Sequence, residues 1–319
     1  MVLAVDGAEL PATLTMPAGE VRGAVVVLHG AEAGQRSYFL HEHLARLLEP
    51  EGFAVLRYDR RPSPGGDDVP LDTQAADALA VLAHLRGIVP GVPTGLWGFS
   101  QGAWVAPLAA VAEPASIGFL VCVSGCGVSP AEQMRVGCAR QLRKHGYSEA
   151  DVAELTTVRL ACERFLRSGE DQMVAQRMLQ TAAARPWFEH AYLPRTLPQP
   201  GSWPDMDFDP GPALARLTCP VLAFYGETDE WMPIEESVAA WRAATEQGAL
   251  IDLTVVRLPG ADHLPTLGGQ PDPAARQRPG RRTTVLSRQG QLGGSPAMKS
   301  ATVLRLAFSM PQGPSPIWP

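Results

Sequence analysis

Leu96-Trp97-Gly98-Phe99-Ser100-Gln101-Gly102-Ala103 has the form G-x-S-x-G, with Gly98 and Gly102 two residues either side of Ser100. In a nucleophile elbow a strand turns sharply into a helix and leaves a serine hydroxyl at the tip of the turn. The turn is strained, and glycine on both sides removes the Cβ atoms that would collide where strand and helix meet. Glycine and serine are common, so the pattern has to be read with its flanks. Upstream, Thr94-Gly95-Leu96-Trp97 is a short, mainly apolar run after Pro90 and Pro93, as for a buried strand. Downstream, residues 103–112 are alanine-rich and read as a helix that contains Pro107. Strand, tight turn and helix together are the context the motif requires; the competing reading is a serine in an ordinary βα turn.

Moving towards the amino end, Gly23–Leu28 (GAVVVL) is a continuous β-branched run, the mark of a central strand covered on both faces. It runs into the glycine-rich turn His29-Gly30-Ala31-Glu32-Ala33-Gly34, and ligands bind at such strand ends in open α/β sheets. Residues 1–17 alternate loosely, predicting an antiparallel strand or hairpin. Helices are predicted over 38–48 and 73–86, and strands over 53–58 and 117–123. The alternation argues for an α/β fold with a mostly parallel central sheet and helices on both faces.

The rhythm breaks after Gly127. Residues 129 to about 190 read as helix after helix, with starts at Ser129-Pro130, Ser148-Glu149 and Ser168-Gly169-Glu170-Asp171. Residues 194–212 read as a loop. Strand and helix return at 220–225, 234–247 and 251–258. The expected organisation is therefore a core of 1–127 and 213–267, a helical cap insertion of 128–212, and a tail of 268–319. That tail holds six arginines and Lys299 against one acid, Asp272, with many prolines and glycines, so little packed structure is expected there apart from a short helix that the spacing allows around 297–308.

Composition narrows the classes. The net charge of −6 gives no electrostatic case for nucleic acid as a partner. No apolar run is long enough to span a bilayer, and the first residues lack a basic and apolar leader pattern, so a cytoplasmic protein without a membrane partner is expected. The five cysteines are odd in number and lack zinc-ligand spacing, so reduced buried thiols and no metal are expected.

A serine hydroxyl is a poor nucleophile until a base takes its proton. The base is usually a histidine held in one tautomer by a carboxylate. Downstream of Ser100, the strand ending at Tyr225 runs into Gly226-Glu227-Thr228-Asp229-Glu230-Trp231-Met232-Pro233, and the last strand into Pro259-Gly260-Ala261-Asp262-His263. Both loops would open on the same sheet edge as the elbow, so Asp229 and His263 are the expected partners of Ser100. Glu227 and Glu230 are fallback acids, and Asp262 reads as a turn residue. The oxyanion donors are expected to be the backbone N–H groups of Gln101 and Ala31. His29 reads as structural. Asp59 and Arg60 read as holding their turn, with substrate contact as the alternative. Trp187, Phe188, Trp203 and Trp231 either wall an acyl pocket or pack the cap.

HGAEAG (29–34), YDRR (58–61), GFSQG (98–102), GETDEWMP (226–233) and GADH (260–263) together resemble the α/β-hydrolase superfamily. The resemblance covers about residues 8–267 and is closest to bacterial serine esterases of the dienelactone hydrolase and esterase D type. A dienelactone hydrolase proper would carry cysteine as nucleophile, where this chain has Ser100. Such relatives end in a helix after the histidine, and residues 268–319 do not read as that helix. The resemblance implies hydrolysis of a small-molecule acyl ester through an acyl-enzyme, with no metal or organic cofactor. Alternatives are hydrolysis or acyl transfer on a coenzyme A thioester, peptide hydrolysis, or an inactive hydrolase fold used for binding.

Overall fold

The computed structural model describes residues 1–31, 34–63, 69–248 and 252–264. The expected tail of 268–319 lies outside them. Eight strands form one sheet: β1 (Val2–Val5), β2 (Ala8–Thr15), β3 (Gly23–Leu28), β4 (Phe53–Tyr58), β5 (Thr94–Phe99), β6 (Phe119–Val123), β7 (Val221–Gly226) and β8 (Leu253–Leu258). Their order is β1-β2-β4-β3-β5-β6-β7-β8. The β1–β2 and β2–β4 pairs are antiparallel, and every pair from β4 to β8 is parallel. The amino-terminal hairpin turns at Asp6-Gly7, with φ of 43° and 74°. Two positive φ values in a two-residue loop match the strand twist, and aspartate followed by glycine tolerates both.

The central strands are buried along their whole length, because helices cover both faces. Alternate side chains part to opposite cores. Ala24, Val26 and Leu28 join the core beneath α2 (Leu71–Ile88) and α3 (Gly102–Ala112), whereas Val25 and Val27 join that of α1 (Phe39–Leu48). The expected strands and helices of this core are present, with ends displaced by up to about three residues. β8 is an edge strand, and its residues are only half-buried up to Leu258.

Between β6 and β7 the chain forms α4 (Pro130–Lys144), α5 (Glu149–Ser168) and α6 (Gln172–Ala182). Ser129 caps α4 by accepting from Glu132 N, and Ser148 forms a capping box with Asp151. The third expected start holds only at its last residue, Asp171, which directly precedes α6. Ser168 is the last residue of α5, and its hydroxyl donates back to Arg164 O at 3.1 Å. Gly169, at φ 74°, terminates that helix, and α6 begins only after Asp171. A glycine free to adopt the left-handed conformation makes this stretch a helix end. A short helix, α7 (Gly211–Leu214), precedes β7, and α8 (Ile234–Gln247) follows it.

Candidate active site

Ser100 sits between β5 and α3 with φ 51°, in the left-handed region that costs a residue with a Cβ of order 1 kcal/mol. Its N–H donates to Val123 O at 2.9 Å and its carbonyl accepts from Ala103 N, so the turn is held from both sides. Both flanking glycines are obligatory. A Cβ on Gly98 would lie 2.2 Å from Gly102 O, and one on Gly102 would lie 2.7 Å from Leu28 O. The first lets the helix fold back on its own strand, and the second lets it start against the end of β3.

Three loops at the carboxyl ends of parallel strands bring the predicted polar groups together. His263 Nε2 lies 3.1 Å from Ser100 Oγ, and Nδ1 lies 2.8 Å from Asp229 Oδ2. The geometry suits a serine hydroxyl donating to Nε2 and an Nδ1–H donating to the carboxylate. Asp229 is buried, and its Oδ1 accepts from Trp231 N at 2.8 Å and Met232 N at 3.1 Å. All bonding positions facing these partners are used, and the carboxylate cannot turn without breaking one. Both fallback acids are engaged by cations. Glu230 pairs with Lys144 at 2.7 Å, and Glu227 lies 3.8 Å from Arg257.

The histidine loop has its own anchors, which sequence reasoning missed. Ser124 is fully buried with φ 52°, and its hydroxyl donates to His263 O at 3.0 Å. Thr228 donates both N–H and Oγ1–H to Ala261 O, at 2.9 and 2.8 Å. A Cβ on Gly226 would meet Asp262 O at 2.3 Å, so β7 and this loop touch backbone to backbone. The one sequence signal for Ser124 was a serine directly after a buried strand.

A model of the alpha/beta hydrolase family matches residues 25–277. The chain belongs to the alpha/beta hydrolase family. No curated protein matches it. Among solved structures, this alpha/beta hydrolase is similar to Est1E from Butyrivibrio proteoclasticus with ferulic acid bound, at 20% identity over 83% of this chain and 91% of that one, with a TM-score of 0.52. It is also similar to a proline iminopeptidase from Mycobacterium smegmatis, at 16% identity over 83% and 91% of the two chains and a TM-score of 0.53. A dienelactone hydrolase from Anabaena variabilis is 16% identical over 84% and 88%, with a TM-score of 0.48.

The remaining predicted residues of this alpha/beta hydrolase lie as follows. Gln101 is the buried residue directly before α3, so its backbone stands at the positive end of that helix. Its side-chain Oε1 accepts from Gln74 at 3.3 Å. The turn carrying Gly30 and Ala31 lies against the elbow, since a Cβ on Gly30 would stand 3.6 Å from Ser100 Cβ. Arg60 holds that turn by donating to Gly30 O at 2.6 Å and Ala31 O at 3.0 Å. Asp59 accepts from Arg36 through both its backbone N–H and its guanidinium. His29 is buried and bonded to Tyr58 O at 2.6 Å; burial, with neighbouring His41, pushes its pKa well down.

Trp187, Phe188 and Trp231 are all buried. Trp231 packs against α4, where a Cβ on Gly137 would come within 2.4 Å of its ring. Tyr192 meets it edge-on at 4.8 Å between ring centres. Trp203 is half-buried in the segment between α6 and α7. The five cysteines are free and buried. Among the described residues no three His, Cys, Asp or Glu side chains are grouped to hold a metal ion, and no helix is long and apolar enough to cross a membrane.

Proposed function

We propose that the chain is a serine hydrolase that cleaves carboxylic esters through an acyl-enzyme. The observation that carries this reading is the unbroken hydrogen-bond chain from Asp229 through His263 to Ser100. Ser100 Oγ attacks the ester carbonyl as His263 Nε2 takes its proton; Asp229 keeps the imidazole proton on Nδ1 and stabilises the imidazolium. The N–H groups of Gln101 and Ala31 receive the oxyanion, with the amino end of α3 adding its dipole. The imidazolium then gives its proton to the leaving alcohol, and water repeats the sequence on the acyl-enzyme. Helices α4 to α6, within residues 128–212, act as a cap, with Trp187, Phe188 and Trp231 on the side of the acyl pocket.

Arg60 donates to the Gly30 and Ala31 carbonyls and Arg36 to Asp59, so both serve to hold the loops beside the elbow. The intact hydrogen-bond chain argues against a fold retained only for binding.

A fluorophosphonate probe and a p-nitrophenyl ester series of increasing acyl length test the reading. We expect covalent labelling on Ser100 and turnover of at least the shorter esters. Ser100→Ala should abolish labelling and lower kcat by about 10⁴-fold or more. Labelling elsewhere, or unchanged turnover in Ser100→Ala, would sink the assignment.

A further inference from the structure

One face of α4 is built onto the loop that carries Asp229. Gly137, Arg140, Gln141 and Lys144 recur at the spacing that lines a single helix face. Each engages a different part of residues 229–232. Gly137 leaves room for the Trp231 indole to lie on the helix backbone. Arg140 Nη1 donates to Met232 O at 2.5 Å, with a longer contact of 3.4 Å to Asp229 O. Gln141 Nε2 donates to Glu230 Oε2 at 2.8 Å, and Lys144 Nζ pairs with Glu230 Oε1 at 2.7 Å.

The polarity of the loop follows from these contacts. The N–H groups of Trp231 and Met232 point inward to Asp229 Oδ1, while the carbonyls of Asp229 and Met232 accept from the Arg140 guanidinium. A cation on one side and a carboxylate on the other hold the same four-residue turn. A hydrogen bond from a charged donor is roughly twice as strong as a neutral one. Without it, the turn is free to draw its amides away from Oδ1, and the carboxylate then turns relative to His263.

We infer that Arg140 is a positioning residue for the catalytic acid, and that α4 is a fixed buttress of the acid loop, unlike a lid that swings clear of it. The inference rests on the reading of Asp229 as the acid. Arg140 acts through that residue: its bonds are to the loop backbone, while Asp229 bonds His263. The same arrangement ties the helical insertion to the chemistry through one side chain.

The test uses full-length wild type, Arg140→Ala and Arg140→Lys, with p-nitrophenyl ester kinetics from pH 5 to 9 and fluorophosphonate labelling. A displaced catalytic group costs up to about 100-fold, so kcat of Arg140→Ala should fall by about 10- to 100-fold with KM within threefold. Weaker pairing with the carboxylate makes the protonated imidazole less stable, so the acid limb of the kcat/KM profile should move to lower pH. Arg140→Lys keeps a cationic donor and should recover part of kcat and part of the limb position. A kcat within twofold of wild type, or a fall in kcat with the limb unmoved, would overturn the inference. Should Arg140→Ala not fold, Arg140→Gln carries the same test, and a wild-type kcat and limb there overturn it equally. A wild-type chain that neither labels nor turns over ester would overturn the reading of the site and the inference with it. An active wild type matched by Arg140→Ala overturns the inference alone.

Discussion

Asp229→Asn separates the proposed orienting role of Asp229 from its structural one. The side chain is fully buried and bonded at both oxygens, at 2.8 and 3.1 Å to two backbone amides and at 2.8 Å to His263 Nδ1. Asparagine has the same shape and still offers one oxygen. The two amides of Trp231 and Met232 can only donate, so that oxygen must stay with them and the NH2 must face His263. Nδ1 then has to accept, which moves the imidazole proton to Nε2. An Nε2–H cannot take the proton of Ser100, so kcat should fall about 10⁴-fold, as when the acid of a Ser-His-Asp triad is amidated. The fold should lose only about 1–3 kcal/mol, because both backbone amides keep their acceptor and the second N–H of the new amide is the one buried donor added without one. Asp229→Ala would strand both amides, at about 1–3 kcal/mol each, and confuse stability with catalysis. The assay is kcat on a short p-nitrophenyl ester, beside the melting temperature of each protein. A kcat for Asp229→Asn within tenfold of wild type would refute the tautomer argument and place the acid elsewhere.

Three further outcomes are expected. Ser124→Ala keeps the Cβ at φ 52° and removes only the bond to His263 O, worth about 0.5–1.5 kcal/mol; kcat should fall by between about two- and tenfold with KM unchanged, and a KM effect alone would argue against the anchor. Arg61→Ala strands the buried Asp77, which Arg61 holds in two bonds of 2.8 and 2.5 Å; the loss should be about 3–5 kcal/mol, and a melting temperature lowered by less than roughly 3 °C would contradict it. Burial lowers the pKa of His41 to about 4, so in the range between that value and the ordinary one near 6.5 the unfolded chain binds the proton and the folded chain does not. Stability from this group is therefore full above pH 6.5 and is lost as pH falls towards 4; urea midpoints at pH 7 and pH 5 should differ more for wild type than for His41→Gln, and equal differences would show that His41 is not responsible.

The sheet, the elbow and the order of the polar residues were legible in the chain's linear pattern. GAVVVL and residues 117–123 are short apolar runs between turn signals and so read as covered strands, and the structure shows that only glycine fits where Gly98 and Gly102 meet backbone. Periodicity and steric need are local properties, so they survive in a one-dimensional reading. Helix ends were less legible: Ser168-Gly169-Glu170-Asp171 has a start-like composition, but Gly169 at positive φ ends a helix.

Which groups meet was decided only in three dimensions. Glu227, Asp229 and Glu230 lie within four residues of one another, and composition alone does not choose among them. Asp229 faces His263 because the amides of Trp231 and Met232 fix its carboxylate inward, while Gln141 and Lys144 of α4, distant in sequence, hold Glu230. The roles of Ser124 and Arg140 escaped the sequence reading for the same reason. Each acts on backbone carbonyls, at His263 and Met232, and a carbonyl is present at every residue whatever its side chain. Sequence records the donors; only the packing of α4 and β6 against the loops selects the acceptors.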